Sequence, residues 1–138
     1  MAVSFNHTLV HSRDPEGGAR FLTDLLGLPA PGRFGPFLVV ALENGVSLDY
    51  LNAGDAPFER QHYAFLVDEP DFDAIFGRVR TRGLEHWADP FKQKPGEIND
   101  HDGGRGVYFE DPDGHLLEIL TRPYGSGGTY DRTTPETR

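Results

Sequence analysis

Three side chains in this sequence are candidate metal ligands: the imidazoles of His7 and His62 and the carboxylate of Glu118. Such nitrogen and oxygen donors bind a divalent metal ion at about 2.0 to 2.2 Å. Two imidazoles and one carboxylate on one face, with other coordination positions left open, favour iron(II) or manganese, and zinc or nickel could also occupy the site. The sequence contains no cysteine, which excludes disulfides and thiolate ligands.

Glu118 is the most informative of the three residues, because it lies within the apolar stretch 116–120. A buried carboxylate without a partner is costly or takes up a proton, and a metal ion would offset that cost. Taken alone, a histidine such as His7 on an apolar strand is more often a core histidine that binds nothing. The metal prediction therefore depends on the three residues occurring together.

A weak internal repeat relates the three residues to one another. Residues 3–52 align with residues 58–122, and the offset grows along the alignment because the second copy carries a longer loop. The matched pairs are His7 with His62, Asp14 with Glu69, and Asp49 with Glu118. Two copies of one supersecondary unit are the simplest interpretation, and a pseudo-twofold relation would bring equivalent positions towards a shared axis.

The first copy has the pattern of a strand, a helix and then further strands. Asp14 is a helix cap, Pro15 suits the first helical position, and Gly27 ends the apolar stripe of the helix. Apolar residues on both faces of the first strand predict that it is covered on both sides. The predicted elements are a strand at 3–10, a helix from Pro15 to Gly27, strands at 37–42 and 46–51 joined by a hairpin turn, and a linker at 52–60.

The second copy follows the same order. Its last two strands are separated by Asp111-Pro112-Asp113-Gly114, which is typical of a type I turn. From Tyr124 onward the sequence is polar and aperiodic, which predicts a flexible or loosely packed tail. The predicted elements are strands at 61–67 and 84–87, a helix at 70–82, a polar loop at 88–104, strands at 106–110 and 115–121, and a tail at 123–138.

Composition limits the classes of partner. The 138 residues suffice for a single domain spanning 1–138, and a formal net charge of −9 disfavours binding to nucleic acid. No stretch approaches the roughly 18 apolar residues of a membrane span, and the first ten residues lack a leader pattern. We therefore expect a cytoplasmic protein with no membrane partner and a small-molecule substrate.

The motifs around the three candidate ligands resemble those of the vicinal-oxygen-chelate superfamily. These motifs are Asn6-His7, the segment His-Tyr-Ala-Phe at 62–65, and the closing segment 108–118, and the resemblance covers residues 3–122. It implies an α+β, glyoxalase-like fold in which two paired βαβββ modules, here 3–52 and 58–122, form a cupped mixed sheet. It also implies that a metal held by His7, His62 and Glu118 chelates two neighbouring substrate oxygens and acts as a Lewis acid.

The same resemblance suggests two catalytic residues. Extradiol dioxygenases of the superfamily carry a histidine shortly before a tyrosine that matches Tyr108, and here His101 lies seven residues before it. His101 could act as an acid or base beside the metal, and Tyr108 could donate a hydrogen bond to a bound oxygen. The alternatives are a solvated loop histidine and a buried core tyrosine.

Other positions separate the branches of the superfamily. Asp49 falls where glyoxalase I has a fourth, glutamate ligand, and its shorter side chain leaves open whether it reaches the metal. Leu9 replaces a threonine of the fosfomycin-resistance transferases, which argues against fosfomycin as the substrate. The remaining histidines are predicted to be surface or turn residues, and these are His11, His86 and His115.

The sequence therefore predicts a divalent-metal-dependent enzyme acting on a small oxygenated molecule. Dioxygenase chemistry is slightly favoured over lyase or isomerase chemistry. The alternatives are a thiol transferase of the fosfomycin-resistance type and a non-catalytic module of the bleomycin-resistance type. Because the predicted modules leave open sheet edges, we also expect a homodimer, with sites that could be built from both subunits.

Overall fold

The structure is a computed structural model that describes residues 2–128. The chain divides into two compact units. Of the described residues, the first unit contains those up to Gln61 together with Asp111–His115, and the second contains His62–Glu110 and those from Leu116 onward.

The first unit contains one helix and a four-stranded mixed sheet. The strand order is β1-β4-β3-β2, in which β1 runs parallel to β4 and the other neighbours are antiparallel. The helix packs against β1, β3 and β4, and its buried side chains close the core of this unit. The elements are β1 (His7–Ser12), α1 (Pro15–Leu26), β2 (Gly32–Phe34), β3 (Phe37–Ala41) and β4 (Ser47–Asn52).

Local chemistry places α1 where the sequence predicts it. The Asp14 carboxylate accepts a hydrogen bond from the Gly17 amide at 3.1 Å, and Pro15 occupies the first turn. Gly27 ends the helix in the left-handed region with φ 71°, where a side chain would be strained. The helix therefore starts and stops at residues whose backbone preferences fit those positions.

The second unit repeats this plan. Its strand order is β5-β8-β7-β6, with β5 parallel to β8 and the other neighbours antiparallel. The Asp68 carboxylate caps its helix by accepting a hydrogen bond from the Asp71 amide at 2.8 Å. The elements are β5 (His62–Leu66), α2 (Glu69–Thr81), β6 (His86–Trp87), β7 (Gly106–Glu110) and β8 (Leu116–Leu120).

Strand register confirms the internal repeat. His7 lies opposite Ser47 across the parallel pair of the first unit, as His62 lies opposite Leu116 in the second. In both units the matched acid, Asp49 or Glu118, lies two residues further along the partner strand. The predicted α+β class with two βαβββ modules is therefore confirmed.

Two predictions about the first sheet are wrong. The strand β1 begins at His7 instead of residue 3, and one of its faces is open, since Leu9 is 41% exposed. Strand β2 was not predicted, because all three of its residues are exposed and their sequence has no apolar alternation. Backbone pairing with β3, and not side-chain burial, therefore holds β2 in the sheet.

The predicted surface or turn location of His115 is wrong. It is fully buried within the first unit. Its Nδ1 accepts a hydrogen bond from the Gln61 amide at 3.0 Å, and its Nε2 donates to the His11 carbonyl at 2.8 Å. These partners hold the ring in its neutral tautomer with hydrogen on Nε2. The turn sequence gave no sign that this side chain points inward.

The first residues of the predicted loose tail are held in place. Tyr124–Gly128 form consecutive turns, in which the Ser126 amide donates to Pro123 and the Gly128 amide donates to Gly125. The remainder of the predicted tail, residues 129–138, lies outside the described residues. Within residues 2–128 no helix is long and apolar enough to cross a lipid bilayer.

We predict that Asp14→Ala lowers the free energy of unfolding by about 1 kcal/mol, because the substitution leaves the Gly17 amide without its cap. Urea unfolding followed by circular dichroism measures the change. Asp24→Ala, an exposed acid on the same helix, is the control and should not lower stability. Equal losses in both variants would contradict the capping role of Asp14.

Candidate metal centre

Three strands of the second unit bring chemically active side chains to one face of the sheet. Glu118 on β8 lies opposite Ala64 on one side and Tyr108 on the other. His62 lies two residues before Ala64 on β5, and side chains two residues apart share a face of a strand. The parallel pairing of β5 with β8 therefore places His62 beside Glu118.

The His62 imidazole is held by two oxygen atoms. Its Nδ1 lies 3.0 Å from the Leu116 carbonyl oxygen, and its Nε2 lies 3.1 Å from Glu118 Oε1. A carbonyl oxygen can only accept, so Nδ1 carries a hydrogen and donates it. In the neutral ring Nε2 is then a bare lone pair that faces a carboxylate oxygen. Two acceptors this close require a proton or a cation between them.

Glu118 is almost completely buried, with 2% of its side chain exposed. Besides His62, the Tyr124 hydroxyl contacts both of its oxygens, donating to Oε1 at 2.8 Å and lying 3.1 Å from Oε2. A carboxylate held away from water by one imidazole and one phenol keeps lone pairs available for a cation. This environment is consistent with the ligand role predicted for Glu118.

Tyr108 lies beside this pair, as the sequence predicts. Its ring stacks on His62 with centroids 5.8 Å apart, and its hydroxyl is 3.3 Å from the Tyr124 hydroxyl. Burial, followed by the hydrogen bond to Tyr124 and the charge of Glu118, raises the pKa of Tyr108 far above its usual value. Burial also raises the pKa of Tyr124. Both phenols are therefore proton donors at neutral pH.

His7 belongs to the first unit. Its side chain is exposed, and its Nδ1 lies 2.7 Å from the Asn6 amide oxygen. Because that oxygen accepts, Nδ1 carries the hydrogen and Nε2 is left as the lone pair, the same tautomer as in His62. A histidine that ligates metal through one nitrogen commonly donates a hydrogen bond from the other. In both His7 and His62, Nδ1 donates a hydrogen bond and Nε2 is left with its lone pair.

The structure brings His62, Glu118 and Tyr108 together, and other predicted site residues lie elsewhere. His101 is exposed in a single turn of 3-10 helix, and no hydrogen bond joins its ring to another described residue. Asp49 is half-buried and accepts a hydrogen bond from the Ser47 hydroxyl at 2.8 Å. Among residues 2–128 no group of three or more His, Cys, Asp or Glu side chains is placed to hold a metal ion. The three-residue site stays a prediction.

Tyr124 is a site residue that sequence reasoning missed. It lies in an aperiodic segment rich in glycine, where neither a strand nor a helix pattern points towards a site. Its position six residues after Glu118 carries no spacing signal, because the chain leaves β8 and turns between the two residues. Only the folded chain reveals this contact.

The donor set in the second unit fits a divalent metal ion. One imidazole nitrogen and a buried carboxylate converge with 3.1 Å between their nearest atoms, and both are ligands that iron, manganese and zinc accept. Two ligand atoms that each lie about 2.1 Å from one metal ion at a right angle are about 3 Å apart, which agrees with this separation.

Comparison with known proteins identifies the family. Residues 4–119 match the sequence pattern of the Glyoxalase/Bleomycin resistance protein/Dioxygenase superfamily. The chain belongs to this superfamily. Its members typically depend on a divalent metal ion, act on small molecules and often form dimers.

Several relatives resemble the chain over most of its length. The structure of Oxidase ChaP-H1 is 64% identical, covers 90% of this chain and 99% of its own, and superposes with a TM-score of 0.87. Oxidase ChaP-H2 is 61% identical, with coverages of 93% and 100% and a TM-score of 0.89. Glutathione transferase FosA of Serratia marcescens is 32% identical over 126 residues, which cover 86% of this chain and 81% of that protein.

We predict that Tyr108 contributes to the loss of stability of the metal-free protein at high pH. Unfolded tyrosine titrates near pH 10. Because the folded pKa is raised, the stabilisation is complete below about pH 10 and is lost as pH rises towards the folded pKa. Tyr108→Phe should therefore weaken the fall in urea stability between pH 9 and pH 11, and an unchanged slope would contradict the shift.

Proposed function

We propose that this chain is a divalent-metal-dependent enzyme that uses dioxygen to oxidise a small oxygenated molecule, with the metal held by His7, His62 and Glu118. The observation that carries the proposal is the contact between His62 Nε2 and the buried Glu118 carboxylate. The likeness to two proteins described as oxidases, at 64% and 61% identity, favours oxygen chemistry over lyase or isomerase chemistry.

The tautomer of His62 supports metal binding over a simple ion pair. The Leu116 carbonyl already takes the Nδ1 hydrogen, so a direct hydrogen bond to Glu118 requires one more proton, on the ring or on the carboxyl group. A metal ion satisfies both lone pairs without that proton. The carbonyl then acts as the outer partner that orients the imidazole.

His7 enters the proposal as the equivalent of His62 in the first unit. Both histidines begin the strand that runs parallel to the acid-bearing strand, and both have Nδ1 beside an acceptor oxygen. Membership of a superfamily whose members typically depend on a metal ion supports the same assignment. The pairing of first and second units that this site requires, in one chain or in the proposed homodimer, is part of the proposal.

The bound metal would act as a Lewis acid for substrate oxygens. Among the chain's own residues, Glu118 supplies negative charge, and the raised pKa of Tyr108 keeps its hydroxyl protonated beside the His62 ring. We assign Tyr108 to donate a hydrogen bond to the substrate when substrate is bound, in place of its contact with Tyr124. His101, which is exposed and whose ring makes no hydrogen bond with a described residue, is assigned to move a proton once substrate is bound.

A second candidate function is thiol transfer. The 32% identity to a glutathione transferase, over 81% of that protein's length, favours it. Thiol transfer and oxidation would use the same proposed ligands, so the metal centre does not separate them. Leu9, where the transferases have threonine, argues against fosfomycin as the substrate.

We predict that the protein purified without added metal contains a divalent metal ion, which elemental analysis measures. Removing a residue that hydrogen-bonds to a metal ligand commonly weakens metal binding about 10 to 100-fold. Removing a ligand itself, as in His7→Ala or His62→Ala, should therefore lower the metal content by at least about tenfold. His11→Ala, another exposed histidine of β1, is the control and should retain the metal. Equal metal content in His62→Ala and in the wild type would contradict the metal assignment. Metal retained in His7→Ala but lost in His62→Ala would show that His7 is not a ligand.

We predict that the protein consumes dioxygen with a panel of catechols and related hydroxylated aromatic compounds, and that His62→Ala abolishes this consumption. An oxygen electrode measures the rate. The matched assay follows loss of glutathione in the presence of fosfomycin. Glutathione consumption without oxygen consumption would favour the transferase and contradict the oxidase.

A further inference from the structure

Tyr124 lies on a turn that returns to the sheet after β8. The residue is 49% exposed, yet its hydroxyl reaches the buried Glu118 carboxylate and contacts both oxygens. Two features of the second unit bear on this contact.

The first feature is the direction of hydrogen bonding. The Tyr124 hydroxyl has one hydrogen, which it donates to the carboxylate, so its oxygen remains as an acceptor. Tyr108, whose hydroxyl lies 3.3 Å away, is then the donor to Tyr124. The chain of donors runs from Tyr108 through Tyr124 to Glu118.

This chain of donors fixes an otherwise loose torsion. The terminal torsion of a glutamate has a broad, roughly twofold preference, so packing of the aliphatic part does not by itself orient the carboxylate. A donor that spans both oxygens of Glu118 restricts that rotation. The Oε1 atom is thereby kept facing His62 Nε2.

The second feature is an anchor that holds the turn. The Asp102 carboxylate accepts hydrogen bonds from the Gly125 amide at 3.2 Å and the Gly127 amide at 3.0 Å. A side chain at Gly127 would place its Cβ 2.8 Å from the Asp102 Cα, so the close approach requires glycine. Asp102 itself has φ 57°, a strained conformation that persists only where surrounding contacts hold it.

We propose that Tyr124 is a positioning residue that orients the Glu118 carboxylate for metal binding, and that Asp102 anchors the turn that carries Tyr124. The inference rests on the proposed function in that it takes Glu118 to be a metal ligand. It adds two residues, outside the ligand set and the substrate contacts, that determine how tightly the metal is held.

The test is binding of Mn²⁺ to the full chain, followed by the electron paramagnetic resonance signal of free Mn²⁺ during titration. Tyr124→Phe should weaken binding about 10 to 100-fold, the usual effect of losing a partner of a ligand. Asp102→Gly removes the carboxylate while glycine tolerates the positive φ, and it should weaken binding in the same direction. The double variant should bind Mn²⁺ no more weakly than Tyr124→Phe, because both substitutions act through the same contact between Tyr124 and Glu118.

Asp100→Ala is the matched control. Asp100 is an exposed acid next to the same turn, and its side chain makes no capping hydrogen bond there. It should leave Mn²⁺ affinity unchanged. A loss of affinity equal to that of Asp102→Gly would show that local charge, not the anchor, is responsible, and would overturn the role of Asp102.

Thermal unfolding of metal-free and Mn²⁺-loaded protein separates positioning from general stability. If Tyr124 positions Glu118, Tyr124→Phe should chiefly reduce the rise in unfolding temperature that Mn²⁺ causes. The reason is that a bound ligand stabilises the folded protein more when its affinity is higher. A lower unfolding temperature without metal, with an unchanged rise on loading, would show a merely structural role and overturn the inference.

The outcomes also separate the inference from the proposed function. Mn²⁺ binding that is lost in Glu118→Ala but equal to wild type in Tyr124→Phe would overturn the positioning role alone. Mn²⁺ binding that survives Glu118→Ala unchanged would overturn both the metal assignment and the inference. Weakened binding in Tyr124→Phe and Asp102→Gly, with no additivity in the double variant, is the result expected.

Discussion

The approach of His62 Nε2 to the buried Glu118 carboxylate is the interaction on which the proposed chemistry depends. Its geometry follows from backbone pairing, because the parallel register of β5 and β8 sets the spacing of the two residues and supplies the Leu116 carbonyl that fixes the ring. Two acceptor atoms this close, one of them on a buried carboxylate, need a positive partner, either a proton or a cation. Tyr108 and Tyr124 complete the surroundings with donors, and neither phenol supplies that positive charge.

The internal repeat explains why such a site arises where it does, and how the two copies have diverged. Both units place a histidine at the start of one strand and an acid two residues along its parallel neighbour. In the second unit the acid is a glutamate that reaches the histidine, whereas the shorter Asp49 is held by the Ser47 hydroxyl. The same scaffold therefore brings a histidine and a carboxylate into contact in the second copy and leaves an exposed histidine, His7, in the first.

Features governed by neighbouring residues could be predicted from the sequence. The cap at Asp14, the stop at Gly27 and the apolar surroundings of Glu118 depend on local preferences, and the internal repeat matches His62 with His7 and Glu118 with Asp49. Features governed by distant contacts could not. Strand β2 depends on pairing with β3, the burial of His115 depends on partners at Gln61 and His11, and the return of Tyr124 to Glu118 depends on the anchor at Asp102.

A crystal structure of the protein as purified, with anomalous scattering recorded at the absorption edges of iron, manganese, nickel and zinc, tests the central claim most directly. The account predicts one anomalous peak, bonded to His62 Nε2 and a Glu118 oxygen at about 2.0 to 2.2 Å. A direct hydrogen bond between His62 and Glu118 in a protein whose only anomalous peaks lie on other residues would contradict it.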